Sequence, residues 1–257
     1  MPTKPRSTPL RSLMCVCCTL LALRGAAAAE LATYGTDGLA IDTCHLRLGR
    51  DHVRTFWRDP NGLVFGSFHR LSAWLATRGE TLVCATNAGI YGEDLRPIGL
   101  YVEAGQVLRK LNVRKQAYGN FYLQPNGAFL LSDNEAKILT TDEISADTEK
   151  QLSTIRYATQ SGPILLRDTE INPLFTPGSE NRVVRNAVCV ITGTEIVLAR
   201  SRAPINFHDF AQQLRGKIGC RDALFLDGSI SQLYPFGNNN FGPNFAPMIG
   251  ATIPARL

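Results

Sequence analysis

Four short segments of the chain set polar side chains where an apolar run breaks into small residues. They are Thr86-Asn87-Ala88-Gly89, Thr159-Gln160-Ser161-Gly162-Pro163, Arg185-Asn186-Ala187 and Leu226-Asp227-Gly228-Ser229-Ile230-Ser231. Strand ends of this kind form natural pocket rims, because loops carry function on a rigid scaffold. Asp227 is the carboxylate with room to work. An apolar strand leads into it and Gly228 leaves space beside it, which suits a general acid or base; its competing role is an Asx turn that caps the strand. Arg185 offers a planar guanidinium for phosphate oxygens, or an ordinary salt bridge. Asn87, Gln160, Ser161 and Ser229 are neutral donors and acceptors of the kind that orient sugar hydroxyls. Asn186, His208 and the glycines Gly89, Gly162 and Gly228 complete the expected binding set, since a ligand approaches the backbone most closely at glycine. Paired-carboxylate chemistry would need a second acid, and the sequence offers Glu93, Asp94 and Asp209 without choosing among them. A serine hydrolase built on Ser229 or Ser231 would lack the Gly-x-Ser-x-Gly elbow. No metal-ligand spacing is present and no cofactor is expected, although Asp227 with neighbouring Asn and Ser oxygens offers ligands to a hard cation such as calcium.

These segments need strands to carry them. Leu39–Leu48 and Val53–Trp57 read as a strand pair, and Asp59-Pro60-Asn61-Gly62 supplies turn chemistry. Phe68, Leu71 and Leu75 recur at spacings of three and four, which predicts an amphipathic helix over Ser67–Arg78 stopped by Gly79. Thr81–Thr86 is a buried strand. Ile98–Glu103 with Gln106–Leu111, and Asn120–Leu123 with Ala128–Leu131, read as hairpins. Thr141–Leu152 is expected to be a helix capped by Thr141 or Asp142. Ile155–Thr159, Pro163–Leu166 and Ala223–Leu226 are further strands, and Asn186–Thr192 pairs with Glu195–Ala199 across Gly193-Thr194. Asn206 caps a helix that carries Phe207, Phe210, Ala211 and Leu214 inward and ends at Gly216. Hairpins outnumber strand–helix–strand units, so the fold class is α+β: a strand-rich single domain of mixed or antiparallel sheet with a few packing helices.

The ordered set of motifs resembles the phosphodiester glycosidase family. Besides the four segments, Pro97-Ile98-Gly99-Leu100, Gly119-Asn120-Phe121, Asn206-Phe207-His208-Asp209-Phe210-Ala211 and Leu226-Asp227-Gly228-Ser229 follow in order. The resemblance is closest to a bacterial branch formerly of unknown function and covers nearly the whole chain after residue 29. It implies hydrolysis of a sugar–phosphate diester, with a carbohydrate or sugar-phosphate ligand. The family tends to place two glycines after the first Asn and three after the Asp, where this chain has Ala88-Gly89 and Gly228-Ser229. An alternative is a non-catalytic module that holds a cell-envelope glycan or phosphoglycan.

Residues 1–29 read as a secretory signal peptide, with Lys4, Arg6 and Arg11 ahead of the apolar run Leu13 to Leu23 and cleavage expected near Ala28 or Ala29. Residues 30–257 then form the domain, without a stable membrane span, in the periplasm or outside the cell. Four of the 27 Lys and Arg residues lie in the signal, so 23 face 22 acids in the remainder. A nucleic-acid partner, which needs clustered cations, is excluded on that balance. Cys44, Cys84, Cys189 and Cys220 also remain. In an oxidising compartment they form two disulfides, expected as Cys84–Cys189 and Cys44–Cys220, or they stay buried thiols.

Overall fold

The computed structural model describes Met1 and residues 29–36, 38–227, 230–237 and 244–255. Residues 2–28, most of the expected signal peptide, lie outside the described residues, as do Asp37, Gly228, Ser229, the polar stretch 238–243 and residues 256–257.

In chain order the strands are β1 (Glu30–Tyr34), β2 (Ile41–Arg47), β3 (His52–Phe56), β4 (Glu80–Asn87), β5 (Tyr101–Glu103) and β6 (Gln106–Arg109). Next come β7 (Gly127–Leu131), β8 (Ala136–Thr140), β9 (Tyr157–Ser161), β10 (Ile164–Arg167) and β11 (Glu170–Ile171). The last are β12 (Asn186–Thr192), β13 (Glu195–Ser201), β14 (Asp222–Phe225), β15 (Leu233–Tyr234) and β16 (Met248–Pro254). Helices α1 (Phe68–Ala76), α2 (Thr141–Ala146), α3 (Thr148–Leu152) and α4 (Phe207–Gln213) sit between them. The strands form a seven-stranded sheet ordered β1-β2-β13-β12-β14-β10-β11, a four-stranded sheet β15-β4-β16-β3 and a five-stranded sheet β6-β5-β9-β7-β8. Every strand pairing in them is antiparallel. The protein is therefore a strand-rich α+β fold.

Alternation along the strands builds the layers. Phe129, Val188, Val190, Leu224, Leu226, Cys84 and Ile249 point into one central core shared by all three sheets. Their neighbours point outward: Ala187, Cys189 and Phe225 meet α4, Ala128 and Leu130 meet α2, and Leu82, Ala85 and Met248 meet α1. Helix α1 forms as its spacing predicts. Ser67 accepts from the Arg70 amide at 3.3 Å, Phe68, Leu71 and Leu75 are buried, and Gly79 follows at φ +69°.

Several expectations change in the fold. Strands β2 and β3 do not pair, because buried Asp51 turns the chain from one sheet to another by accepting from the Arg47 amide at 2.8 Å and from Arg50. Residues Asn120–Tyr122 form one 3-10 turn rather than a strand. The helix expected over Thr141–Leu152 breaks at Asp147, whose carboxylate accepts from Lys150 N at 3.1 Å and starts α3. Its cap is Thr140, in a reciprocal capping box with Glu143. The last helix runs past Gly216 as a π turn, Leu214–Ile218, and stops at Gly219 at φ +83°.

The disulfides are Cys44–Cys84 and Cys189–Cys220, which corrects the expected pairing. Cys84 faces the central core whereas Cys189 faces the outer layer under α4, so the seven-stranded sheet itself separates them. The first bridge ties β2 to β4 across two sheets. The second ties β12 to the segment that follows α4.

Candidate active site at the Asp227 cavity

The four polar segments converge at one end of the sheets, but they divide into a buried frame and an open mouth. Asn87 ends β4 and Asn186 begins β12, and neither is exposed. Asn186 Nδ2 donates to Thr86 Oγ1 at 2.8 Å, to the Asn87 carbonyl at 2.8 Å and to Asn87 Oδ1 at 3.0 Å. Asn87 holds the returning chain after Asp227, donating to the Ile230 carbonyl and accepting from Gln232 N at 2.8 Å. Ser231 Oγ donates to Asn186 Oδ1 and to the Asp227 carbonyl, both at 3.2 Å, and Arg200 Nε donates to the Ser231 carbonyl at 2.7 Å. These side chains spend their polar atoms on fixing the loop that carries Asp227.

Gln160 is used in the same way. Its Oε1 accepts from Leu100 N at 2.8 Å and Asn112 N at 2.9 Å, while Nε2 donates to the Asn112 carbonyl at 2.8 Å and Thr141 Oγ1 at 3.0 Å. The amide thereby clamps three separate stretches of chain to β9. Gly89 is required by close packing. A Cβ there would lie 2.3 Å from the Gln160 carbonyl oxygen, and one at Gly162 would lie 2.6 Å from Asn126 Cβ. Ser161 is fully buried, and its Oγ makes no hydrogen bond among the described residues. Gly228 and Ser229 lie outside the described residues.

The mouth is an open cavity of about 540 Å³ lined by Asp227 together with Ile90, Ala117, Tyr118, Gly119, Asn120, Tyr122 and Leu123. Asp227 is only 3% exposed, yet it borders this space. Tyr91 bonds the Asp227 carboxylate, and its phenol is held protonated far above the usual tyrosine range, first by burial and then by that negative charge. Tyr118 stands fully in solvent. Sequence reasoning missed both tyrosines, although Gly119-Asn120-Phe121 between Tyr118 and Tyr122 was already marked as a motif. Among the described residues lining the cavity Asp227 is the one acid. Asp94 pairs with Arg96 on the surface, and Asp209 is engaged by Asn206 and Arg182. Among the described residues no three His, Cys, Asp or Glu side chains gather as a metal set.

Arg185 does not line the Asp227 cavity. It is 1% exposed, lies 3.6 Å from the centre of the Phe207 ring, and donates to the Ile205 carbonyl at 2.7 Å and the Asn181 carbonyl at 2.9 Å. Burial lowers its pKa to about 10, and among the described residues it makes no ion pair with a carboxylate. Asn181 and Phe207, which it holds, line a second cavity of about 170 Å³ together with His208, Phe175, Leu174 and Leu123. Leu123 is the shared wall of the two cavities. His208 therefore faces the second space, with Nδ1 3.3 Å from Asp209 Oδ1.

A family profile described as phosphodiester glycosidase matches residues 80–247, which contain all four polar segments. The chain belongs to the phosphodiester glycosidase family. It is 32% identical over 219 residues to the uncharacterized protein YigE of Escherichia coli K12, covering 85% of this chain and 83% of the relative. Two solved structures share the fold. The catalytic domain of zebrafish N-acetylglucosamine-1-phosphodiester alpha-N-acetylglucosaminidase, auto-inhibited by its pro-peptide, aligns with a TM-score of 0.54 at 12% identity over 86% of this chain and 81% of that one. A hypothetical protein from Synechocystis aligns with a TM-score of 0.52 at 14% identity, over 88% of this chain and 62% of that one. The phosphodiester glycosidase assignment covers the strands that carry Asn87, Gln160, Arg185 and Asp227 and is in keeping with a hydrolase.

Proposed function

We propose that this member of the phosphodiester glycosidase family hydrolyses a glycosyl-1-phosphodiester in the Asp227 cavity. The observation that carries the reading is a nearly buried carboxylate bordering an open cavity beside two tyrosine rings. Aromatic faces suit the apolar face of a sugar ring, while the polar rim suits its hydroxyls. A phosphate monoester leaving group is a weak base, with its second pKa near ~6, so it departs without a strong general acid. One carboxylate then suffices. Asp227 takes a proton from water as the water attacks the anomeric carbon, the bond from that carbon to oxygen breaks, and the electron pair leaves on the phosphate. Tyr91, whose protonated phenol hydrogen-bonds the Asp227 carboxylate, orients it. Arg185 places positive charge behind the wall of the adjoining cavity, where the phosphate and its substituent would extend.

The proposal includes export to the periplasm or the medium, supported by the signal-like first 29 residues and by two disulfides of a kind that persist in oxidising compartments. The test is hydrolysis of a panel of sugar-1-phosphodiesters in ¹⁸O-labelled water, comparing wild type with Asp227→Asn. Label in the sugar, with turnover lost in the variant, is the expected result. Label in the phosphate, or full activity of the variant, would overturn the mechanism. A second reading, glycan binding without cleavage, draws on the lack of a second acid among the described cavity-lining residues. Saturable binding with no product after long incubation would select it.

A further inference from the structure

The segment that leads into the cavity has a surface of its own. Five of the eleven strongly exposed large apolar or aromatic side chains among the described residues fall between 107 and 123: Val107, Leu108, Val113, Tyr118 and Leu123. Leu108 is 45% and Val113 55% exposed. Four cations, Arg109, Lys110, Arg114 and Lys115, are interleaved with them, and no acidic residue occurs between Glu103 and Asp133. In space, Leu108, Lys110, Val113 and Arg114 line one broad, shallow hollow of about 660 Å³. It lies along β6, which is the free edge of its sheet. The charges are mostly unneutralised: Lys115 pairs with Asp142, whereas Arg109 and Arg114 donate to the carbonyls of Pro97 and Gln116. Cations on a free edge discourage strand pairing, but that need does not call for apolar side chains standing in water beside them.

We propose that this strip is a docking surface for an anionic phospholipid bilayer. Lys and Arg are drawn to anionic headgroups, the exposed leucine and valine enter the boundary between headgroups and acyl chains, and Tyr118 sits where aromatic residues prefer to lie. The complementarity is local, since the residues after position 29 carry 23 cations against 22 acids and this strip holds four cations without an acid of its own. Because Tyr118 also lines the Asp227 cavity, docking would turn the mouth of the site toward the membrane face. The inference goes beyond the hydrolase reading and stands without it, since vesicle binding requires no turnover.

The test uses the exported protein as isolated, co-sedimented with phosphatidylcholine vesicles with or without about 30% phosphatidylglycerol. Wild type is expected to sediment only with the anionic vesicles and to be released as salt is raised. Lys110→Gln with Arg114→Gln should weaken partitioning about 30-fold, from about fivefold per cation. Leu108→Asp with Val113→Asp should weaken it at least as much, and melting curves confirm that both pairs fold. Three results would overturn the proposal: no phosphatidylglycerol-dependent sedimentation, wild-type binding in both double variants, or dependence on the cations alone with equal retention on soluble polyphosphate. The last result would assign the strip to a free polyanion.

Discussion

The polar groups around the site behave in two opposite ways. Gln160, Asn87 and Asn186 are buried, and their amides are spent on hydrogen bonds to the protein. Asp227 and Tyr118 instead border an open cavity. The difference separates residues that hold a geometry from residues that use it. A buried amide with four partners resists change because each orphaned partner costs free energy, whereas an exposed side chain such as Tyr118 is left to contact something else.

The sharpest way to break this distinction is at Asp227. Asp227→Asn should lower kcat by about 10³-fold, within the range for general acid–base catalysis, and leave the melting temperature unchanged. Steady-state kinetics with parallel calorimetry reads both. A frame residue should give the reverse pattern. Gln160→Ala leaves the amides of Leu100 and Asn112 without their acceptor and should cost about 4 kcal/mol in denaturant unfolding, at ~1–3 kcal/mol for each unsatisfied group. Loss of the bridge between sheets is comparable: Cys44→Ala with Cys84→Ala opens a 40-residue loop and should cost about 4 kcal/mol. At the mouth, Tyr118→Ala should raise KM about fivefold through the loss of ~1 kcal/mol of aromatic contact, with stability unchanged because the ring touches solvent. A melting point lowered by Tyr118→Ala would erase the distinction.

The smallest effect lies far from the site, at His45. Burial lowers its pKa below the ordinary 6.5, against the opposing pull of Glu30 and Glu195. The unfolded chain therefore binds this proton first as pH falls, so stability present above pH 6.5 is lost below it. His45→Gln should flatten the pH dependence of unfolding between about pH 7 and 5, measured by urea melts across that range.

Much of this was legible because it is local. The spacing of Phe68, Leu71 and Leu75 with Ser67 and Gly79 defines α1, and the Gly193-Thr194 turn between alternating runs defines the β12–β13 hairpin. The small-residue breaks after β4 and β9 marked Gly89 and Gly162, and the four segments do converge. Their division of labour was not legible. Gln160 reads equally well as a sugar ligand or a clamp, since an amide offers the same donors and acceptors to both, and the outcome depends on Leu100, Asn112 and Thr141 arriving from elsewhere in the chain.

By itself the sequence determined the strand-rich class, the family and the positions of the polar strand ends, because periodicity, turn chemistry and ordered motifs are properties of neighbouring residues. Only the tertiary structure decided which cysteines pair, that β2 and β3 part into different sheets, and that Tyr91, Tyr118 and Tyr122 gather around Asp227. Those outcomes depend on which face of a sheet a side chain takes and which distant segment packs against it. Neither is written in local spacing: a strand's alternation names two faces, and packing chooses what lies beyond each.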